Sequence, residues 1–165
     1  MCGFVGFTNC IDDSNKALEN MMNRIIHRGP DSGGSYIDGD IALGFRRLSI
    51  IDLEQGDQPI LNEDSSKILL FNGEIYNFRK KLVEAGHIFK TKTDSEVLLH
   101  GYEEYGKNLL NMLRGMFAFV IWDKNTKELF GARDFFGIKP LYYSLSGKSF
   151  LFGSEIKSFL PHPHF

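Results

Sequence analysis

The spacing of apolar residues along the chain predicts where its helices lie. Apolar positions 18, 21, 22, 25 and 26 follow one face of a helix, so an amphipathic helix is predicted to begin at Ser14. Thr93 and Glu96 form a capping box ahead of an apolar run, which predicts a second helix ending near Tyr105. Shorter helical segments are predicted at 77–86 and at 155–160.

Short apolar runs between turn sequences predict strands. The predicted strands are residues 4–7, 35–37, 40–45, 68–71, 116–122, 128–132, 141–143 and 149–152. Asp38-Gly39 separates two of these runs and favours a tight hairpin turn. Since several other pairs are also joined as hairpins, the sheets should be largely antiparallel, and helices beside such sheets define an α+β fold.

Size, composition and charge narrow the class of protein. A chain of 165 residues that is 42% hydrophobic is long enough for one domain with a sizeable core, spanning residues 1–165. Lys and Arg number 19 against 21 Asp and Glu, so no nucleic-acid or membrane partner is expected. No apolar run approaches the length of a membrane span, and no basic leader precedes the first strand. We therefore expect a cytoplasmic protein.

Cys2 is a candidate nucleophile because the initiator methionine before a small residue is usually removed. Cys2 would then carry both a thiol and a free α-amine. An α-amine is a much weaker base than a lysine amine, so a useful fraction is neutral near pH 7 and accepts the thiol proton. The alternatives are a frayed chain start, or a thiol assisted by His27 or His100, although both histidines fall on predicted amphipathic helices.

Three polar positions are candidates for binding, each with a purely structural alternative. The side-chain amide of Asn72 and the backbone N–H of Gly73 would make two neutral donors for an oxyanion, although the pair also reads as a turn. Arg47 ends a predicted strand ahead of an apolar run, which is compatible with a guanidinium in a pocket or on the surface. Asp94 in the first turn of a helix suits the helix dipole by itself.

The usual metal and phosphate motifs are missing from the sequence. The stretch ending in Gly147-Lys148-Ser149 lacks the earlier glycine of a phosphate loop, because Tyr142 occupies that position. There is no H-E-x-x-H and no C-x-x-C, and the five histidines are scattered. Cys2 and Cys10 would lie more than about 20 Å apart along a strand, which argues against a disulfide between them. No metal site is predicted.

Taken together, the ordered motifs resemble the class II glutamine amidotransferases, and within them the glutaminase domain of asparagine synthetases. The segments that carry the resemblance are Met1-Cys2-Gly3, His27-Arg28-Gly29-Pro30-Asp31, Arg47-Leu48-Ser49-Ile50-Ile51-Asp52, Asn72-Gly73-Glu74-Ile75-Tyr76-Asn77, Thr93-Asp94-Ser95-Glu96, and the stretches 113–119, 132–134, 137–143 and 153–157. Each segment is weak alone, but the ordered set is specific and spans essentially the whole chain.

The resemblance implies an N-terminal-nucleophile hydrolase fold, a four-layer αββα sandwich of two antiparallel sheets between helices. It implies that the Cys2 thiolate attacks the side-chain amide of L-glutamine and that Asn72 and Gly73 hold the oxyanion. Arg47 would bind the α-carboxylate, and Asp94 the α-ammonium. The residues implied to line the rest of the site are Leu48, Ser49, Ile50, Ile51 and Glu74.

The resemblance also implies a partner for the released ammonia. Asparagine synthetases carry a second domain that uses ATP and Mg²⁺, and its phosphate-binding Ser-Gly-Gly-x-Asp-Ser motif is absent from this sequence. We therefore expect the chain to be an excised N-terminal fragment that needs no cofactor itself, with the synthetase domain in cis in the parent. A non-catalytic glutamine-binding or docking module, and the glutaminase half of an amidotransferase with another acceptor, are the alternatives. The sequence leaves a homodimer open.

Overall fold

The computed structural model describes residues 1–49, 57–89, 91 and 93–165, and it contains the predicted mixture of strands and helices. The strands are β1 Gly3–Thr8, β2 Ser32–Ile37, β3 Ile41–Arg47, β4 Ile60–Leu61, β5 Lys67–Ile75, β6 Gly115–Asp123, β7 Glu128–Arg133, β8 Tyr142–Ser146 and β9 Ser149–Gly153. The α-helices are α1 Ser14–Arg24, α2 Arg79–Glu84 and α3 Ser95–Tyr105. Across the described residues, no helix has the length and apolar character needed to cross a membrane.

The chain forms two compact units. Of the described residues, 1–49, 57–59 and 140–165 form the first unit, and the remainder between 60 and 139 form the second. Each unit contains one antiparallel sheet, with strand order β2-β3-β1-β9-β8 in the first and β4-β5-β6-β7 in the second. The predicted α+β class with two antiparallel sheets is confirmed.

In the first unit, β1 is the central strand and is almost completely buried. It pairs with β3 in the register Gly3 to Arg46 and Thr8 to Ile41, and with β9 on its other edge. Helix α1 packs its apolar face onto this sheet, as its helical spacing predicts. The core formed by the helix and the sheet includes Val5, Phe7, Leu18, Met21, Ile25, Ala42, Leu151 and Phe159.

In the second unit, β5 and β6 form the longest ladder, from Lys67 opposite Asp123 to Ile75 opposite Gly115. Helix α3 buries the apolar residues that the sequence pattern placed on it. The core formed with the sheet includes Leu69, Phe71, Leu82, Val97, Leu98, Leu99, Leu109, Phe117, Phe119 and Ile121.

The predicted helix at 155–160 is wrong in length. The structure has only a short 3₁₀ turn, Ile156–Ser158, in which Ser158 Oγ donates to the Glu155 carbonyl oxygen at 2.6 Å. Pro161 and Pro163 follow three and five positions after Ser158, and proline lacks the backbone N–H that a continuing helix would use. The other predicted hairpins and helices are present with boundaries shifted by a few residues.

Asp134 organises the loop after β7 with a buried carboxylate. It is 5% exposed and accepts backbone N–H bonds from Ile138 at 2.9 Å, Lys139 at 3.0 Å and Phe117 at 3.2 Å. Burial alone would raise the pKa of Asp134, but the backbone N–H donors, Phe136 included, outweigh it and leave the pKa below its ordinary value. The ionised carboxylate therefore stabilises the folded state.

We expect Asp134→Asn to lower the free energy of unfolding by about 2–3 kcal/mol near pH 7, because an amide group cannot replace both acceptor oxygens. Because the pKa of Asp134 in the folded state lies below its ordinary value of 3.8, the carboxylate stabilises the fold at pH values above 3.8. This stabilisation is lost as the pH falls below 3.8 and through the lowered pKa. Urea unfolding measured from pH 7 to pH 2 should therefore show a smaller decrease in the free energy of unfolding with falling pH in the variant than in the parent. The exposed Asp12→Asn is the control and should change stability by less than about 0.5 kcal/mol. An unchanged acid dependence in Asp134→Asn would contradict this role.

Candidate active site

Cys2 lies at the start of the central strand of the first unit, beside the end of β3. Because β1 and β3 are antiparallel and Gly3 is opposite Arg46, the residue before β1 must meet the residues after Arg46. Cys2 Sγ is 3.4 Å from the Leu48 backbone nitrogen and 3.6 Å from the Leu48 carbonyl oxygen. Arg28 Nε donates to the Cys2 carbonyl oxygen at 3.1 Å. Backbone and side chain of Cys2 are therefore both held in place.

Arg47 offers a buried cation next to Cys2 and Leu48. The residue is 6% exposed, and its Nη1 is 3.2 Å from Oδ1 of Asp57, whose side chain is 78% exposed. A guanidinium binds a carboxylate well through its planar fork. Since Asp57 stands largely in solvent, another carboxylate can replace it at Arg47 at little cost in desolvation.

The 28–31 loop holds the end of β3. Asp31 accepts from the Ser49 backbone N–H at 2.7 Å, and its own N–H donates to the Arg47 carbonyl oxygen at 3.1 Å. A Cβ on Gly29 would lie 2.3 Å from the Arg46 carbonyl carbon, so this approach requires glycine. An interpretation of this loop as only a helix end and a turn is therefore incomplete, because the loop also positions residues 47–49. The predicted site residues Ile50 and Ile51 lie outside the described residues.

Asn72 and Gly73 lie near the end of β5 in the second unit. Asn72 is 3% exposed, and its Nδ2 has no hydrogen-bond acceptor among the residues the structure describes. A Cβ on Gly73 would lie 2.2 Å from the Met116 carbonyl oxygen, so the pairing with β6 requires glycine there. Glu74, the next residue, is exposed. A buried amide donor without an acceptor costs stability, which favours a functional reason for Asn72.

Asp94 directs its carboxylate toward the end of β5 and not toward its own helix. Its Oδ2 accepts the Ile75 backbone N–H at 2.6 Å. Burial raises the pKa of this carboxyl, the Ile75 hydrogen bond partly opposes the shift, and the charge of Glu74 adds to it. Asp94 is therefore a half-buried anion beside the strand that carries Asn72 and Gly73.

The predicted capping box at Thr93 and Glu96 is wrong. The residue before α3 is Asp94, which makes no side-chain cap bond, and Glu96 Oε2 instead accepts from the N–H and the hydroxyl of Thr91, both at 2.8 Å. The physical reason is that Asp94 is bound to Ile75 and Glu96 to the segment preceding the helix. An interaction of Asp94 with the helix dipole alone therefore does not explain the orientation of its carboxylate, which the Ile75 N–H fixes.

The structure groups the sequence-predicted site residues within each unit. In the first unit, Cys2, Arg47, Leu48 and Ser49 meet at the end of β3; in the second, Asn72, Gly73 and Glu74 lie on β5 and Asp94 reaches its last residue. Sequence reasoning missed Arg28, Asp31 and Asp57 as partners of these residues. For Arg28 and Asp31 the signal was available, because both belong to the quoted His-Arg-Gly-Pro-Asp motif; nothing in the sequence marks Asp57.

Comparison with known proteins relates the whole chain to one family. The family model described as the glutamine amidotransferase domain matches residues 1–165. The chain is 48% identical over 168 residues to the glutamine-hydrolyzing asparagine synthetase 1 of Bacillus subtilis (strain 168), covering 97% of this chain and 27% of that protein. It is 44% identical over 166 residues to the glutamine-hydrolyzing asparagine synthetase 2 of Arabidopsis thaliana, covering 96% and 28%. The chain thus spans about a quarter of the length of these curated relatives.

Solved structures confirm the fold. The glutamine phosphoribosylpyrophosphate amidotransferase of B. subtilis, complexed with ADP and GMP, matches with a TM-score of 0.80 and 23% identity over 96% of this chain and 43% of that one. A structure titled as the allosteric regulatory enzyme of purine biosynthesis matches with a TM-score of 0.82 and 23% identity, covering 97% and 43%. At this identity the likeness concerns the fold alone, and it agrees with the expected α+β fold that contains two antiparallel sheets.

The Asn72 Nδ2 group, which lacks an acceptor among the described residues, leads to a stability prediction. An unsatisfied buried donor costs about 1–3 kcal/mol, so Asn72→Leu should leave the free energy of unfolding within about 1 kcal/mol of the parent or raise it. Asn62→Leu is the matched control, because Asn62 is also buried but bonds to Glu103 at 2.7 Å and to the Lys67 N–H at 2.9 Å. Urea unfolding should show a loss of more than about 2 kcal/mol for that control. An equal loss in Asn72→Leu would show that its amide is satisfied in the folded chain.

Proposed function

The chain belongs to the glutamine amidotransferase domain family, and on this premise we propose that it hydrolyses L-glutamine to glutamate and ammonia on Cys2. The observation that carries the proposal is the place of Cys2 directly before β1, with its Sγ against the backbone of Leu48, the residue that follows the buried Arg47. Met1 precedes the strand and is 52% exposed, which suits its removal. The proposed nucleophile, Cys2, and the proposed binding group for the substrate carboxylate, Arg47, therefore both belong to the first unit.

In the proposed reaction, the α-amine of the processed Cys2 takes the thiol proton while Sγ attacks the side-chain amide carbon of glutamine. The carbonyl oxygen becomes an oxyanion as the C–S bond forms. The amine then gives the proton to the leaving nitrogen, the C–N bond breaks, and ammonia departs from a γ-glutamyl thioester. Water attacks the thioester carbon, glutamate leaves, and the thiol is restored, so that no redox partner or metal is required to balance the reaction.

The oxyanion is assigned to Asn72 and Gly73. A buried amide donor held without an acceptor among the described residues supports this role for Asn72 Nδ2, because such a donor gains a partner only when charge develops on the substrate. The glycine requirement at Gly73 fixes the backbone of the same stretch against β6. Removing one oxyanion donor typically slows a reaction by about 10²–10³-fold.

Two charges on free glutamine distinguish it from glutamine within a peptide. We assign the α-carboxylate to the Arg47 guanidinium, where it would replace the exposed Asp57. The α-ammonium is assigned to the Asp94 carboxylate, which the Ile75 N–H orients. The residues proposed to line the rest of the site are Leu48, Ser49, Ile50, Ile51 and Glu74.

Ammonia produced here is proposed to serve a synthetase domain in cis. The asparagine synthetases that resemble the chain are more than three times as long as the matched region, which leaves room for such a domain. Phe135, Phe136 and Ile138 are 97%, 84% and 56% exposed, an apolar surface suited to docking it. In this proposal ATP and Mg²⁺ belong to that domain and asparagine is its product. A cytoplasmic location is proposed because both cysteines are free thiols.

Cys2→Ala is expected to abolish glutamate release from L-glutamine, with a loss of at least about 10³-fold, because the nucleophile is removed. Cys10→Ala is the matched control and should retain turnover, since that thiol lies outside the proposed site. Enzyme-coupled detection of glutamate and ammonia, with intact mass to verify loss of Met1, measures both variants. Turnover that survives in Cys2→Ala would exclude Cys2 as the nucleophile, whereas turnover that survives an N-terminal extension but disappears in a folded His27→Ala or His100→Ala would favour the thiol–histidine mechanism.

The affinity for glutamine should fall in mild acid, because only ionised Asp94 attracts the α-ammonium. Burial raises the Asp94 pKa above 3.8, so the affinity is full above that raised pKa and declines as the pH drops through it. Calorimetry on the Cys2→Ala background measures the dissociation constant between about pH 7 and pH 4. Asp94→Asn should bind about 10–100-fold more weakly at pH 7 and lose the pH dependence, whereas Asp12→Asn should behave as the parent. An Asp94→Asn variant that keeps the acid decline would exclude this role.

A further inference from the structure

Two histidines and a glutamate that the glutaminase proposal does not use lie together in the second unit. His100 and Glu103 are three residues apart on α3 and therefore share one face of the helix, while His87 comes from the loop after α2. One ligand atom from each of the three residues lies within 4.8 Å of the others. The two imidazole rings are 4.9 Å apart between centroids. Ligand-type atoms from two separate segments thus converge on one point.

The carboxylate of Glu103 is already oriented toward His100. Asn62 Nδ2 donates to Glu103 Oε1 at 2.7 Å, while the second oxygen, Oε2, is 3.3 Å from His100 Nδ1. A partner that holds one carboxylate oxygen and leaves the other facing a shared point is the arrangement seen around protein metal ligands. Glu63 and Glu104 add negative charge nearby, Glu104 Oε2 being 3.4 Å from His87 Nε2.

His100 presents one ring nitrogen, Nδ1, to the Glu103 carboxylate and the other, Nε2, to Glu63. The residue is 3% exposed, and its Nε2 has no hydrogen-bond partner in the part of the chain that the structure describes. Glu63 Oε1 is 4.0 Å from that nitrogen, beyond hydrogen-bond distance. An ion bound at Nδ1 would leave the Nε2–H directed toward this carboxylate, and a metal-bound histidine commonly has such an outer carboxylate beside its second nitrogen.

We propose that His87, His100 and Glu103 form a binding site for a divalent transition-metal ion, with Zn²⁺ as the best match. Two imidazoles and one carboxylate are a common Zn²⁺ ligand set, with a fourth position left for water or a further carboxylate. Donor atoms bonded to Zn²⁺ at about 2.0–2.1 Å lie about 3.3–3.5 Å apart, so a modest rotation of the less buried His87 and Glu103 closes the site. The bound ion would cross-link the loop after α2 to α3.

The sequence analysis expects no metal site, and no sequence motif marks this cluster, since the two histidines are 13 positions apart and match no compact ligand motif. Only the packing of the 87–89 loop against α3 brings them together. Phe89 contacts the His100 ring edge-on at 4.8 Å between centroids, which helps fix that loop.

The test is Zn²⁺ binding to the chelator-treated 165-residue chain, carried out in a Cys2→Ser, Cys10→Ser background because thiols also bind Zn²⁺. Calorimetry should show one ion per chain, and Zn²⁺ should raise the melting temperature by mass action. His87→Gln and Glu103→Gln should each weaken binding by about 100-fold or more and remove the thermal shift. Co²⁺ should give a visible spectrum with nitrogen and oxygen ligands.

His164→Gln is the matched control, since His164 is exposed and lies outside the cluster. It should leave the Zn²⁺ affinity and the thermal shift unchanged. The test substitutes His87 and Glu103 and leaves His100 in place, because replacement of that buried residue could unfold the chain. Absence of Zn²⁺ binding in the thiol-free chain, or binding that His87→Gln and Glu103→Gln leave intact, would overturn the proposal.

Discussion

The antiparallel pairing of β1 with β3 is the constraint on which the first half of the proposed site depends. Cys2 lies directly before β1, so the placement of that strand also places the thiol. Val5 and Phe7, each with no exposed surface, share one face of that strand and lie in the core that α1 forms with the sheet. A slip of one residue would turn these side chains to the opposite face, so the register that buries them also sets Cys2 beside Leu48.

The residues proposed for the site include buried polar groups, and such groups by themselves lower the stability of the fold. Arg47 is a buried cation paired with an exposed carboxylate, Asn72 is a buried donor without an acceptor among the described residues, and Asp94 is a half-buried anion with a raised pKa. Apolar cores in both units, rich in phenylalanine, offset these losses. Buried polar groups whose hydrogen-bonding capacity is not fully used suit the proposed binding of a small substrate that carries two charges.

Local patterns were enough to predict most of the fold, because hairpin turns and helical spacing act within a few residues. The hairpin around Asp38-Gly39 and the helix over residues 14–24 follow from such patterns. The capping box at Thr93 failed because both acidic side chains bond to segments that local spacing does not reveal. Cys2, Arg47 and Asp94 were identified through ordered family motifs, whereas Asp57 and the cluster of His87, His100 and Glu103 depend on packing between distant residues.

The measurement that tests the account most directly is acid-quench mass spectrometry of the chain during turnover of L-glutamine. We expect the chain to begin at Cys2 and a fraction of it to carry one glutamyl group, located by fragmentation on the N-terminal cysteine. That fraction should appear before glutamate reaches its steady rate of release. Glutamate release from chains that still carry Met1, or a glutamyl group located on any residue other than Cys2, would contradict the account.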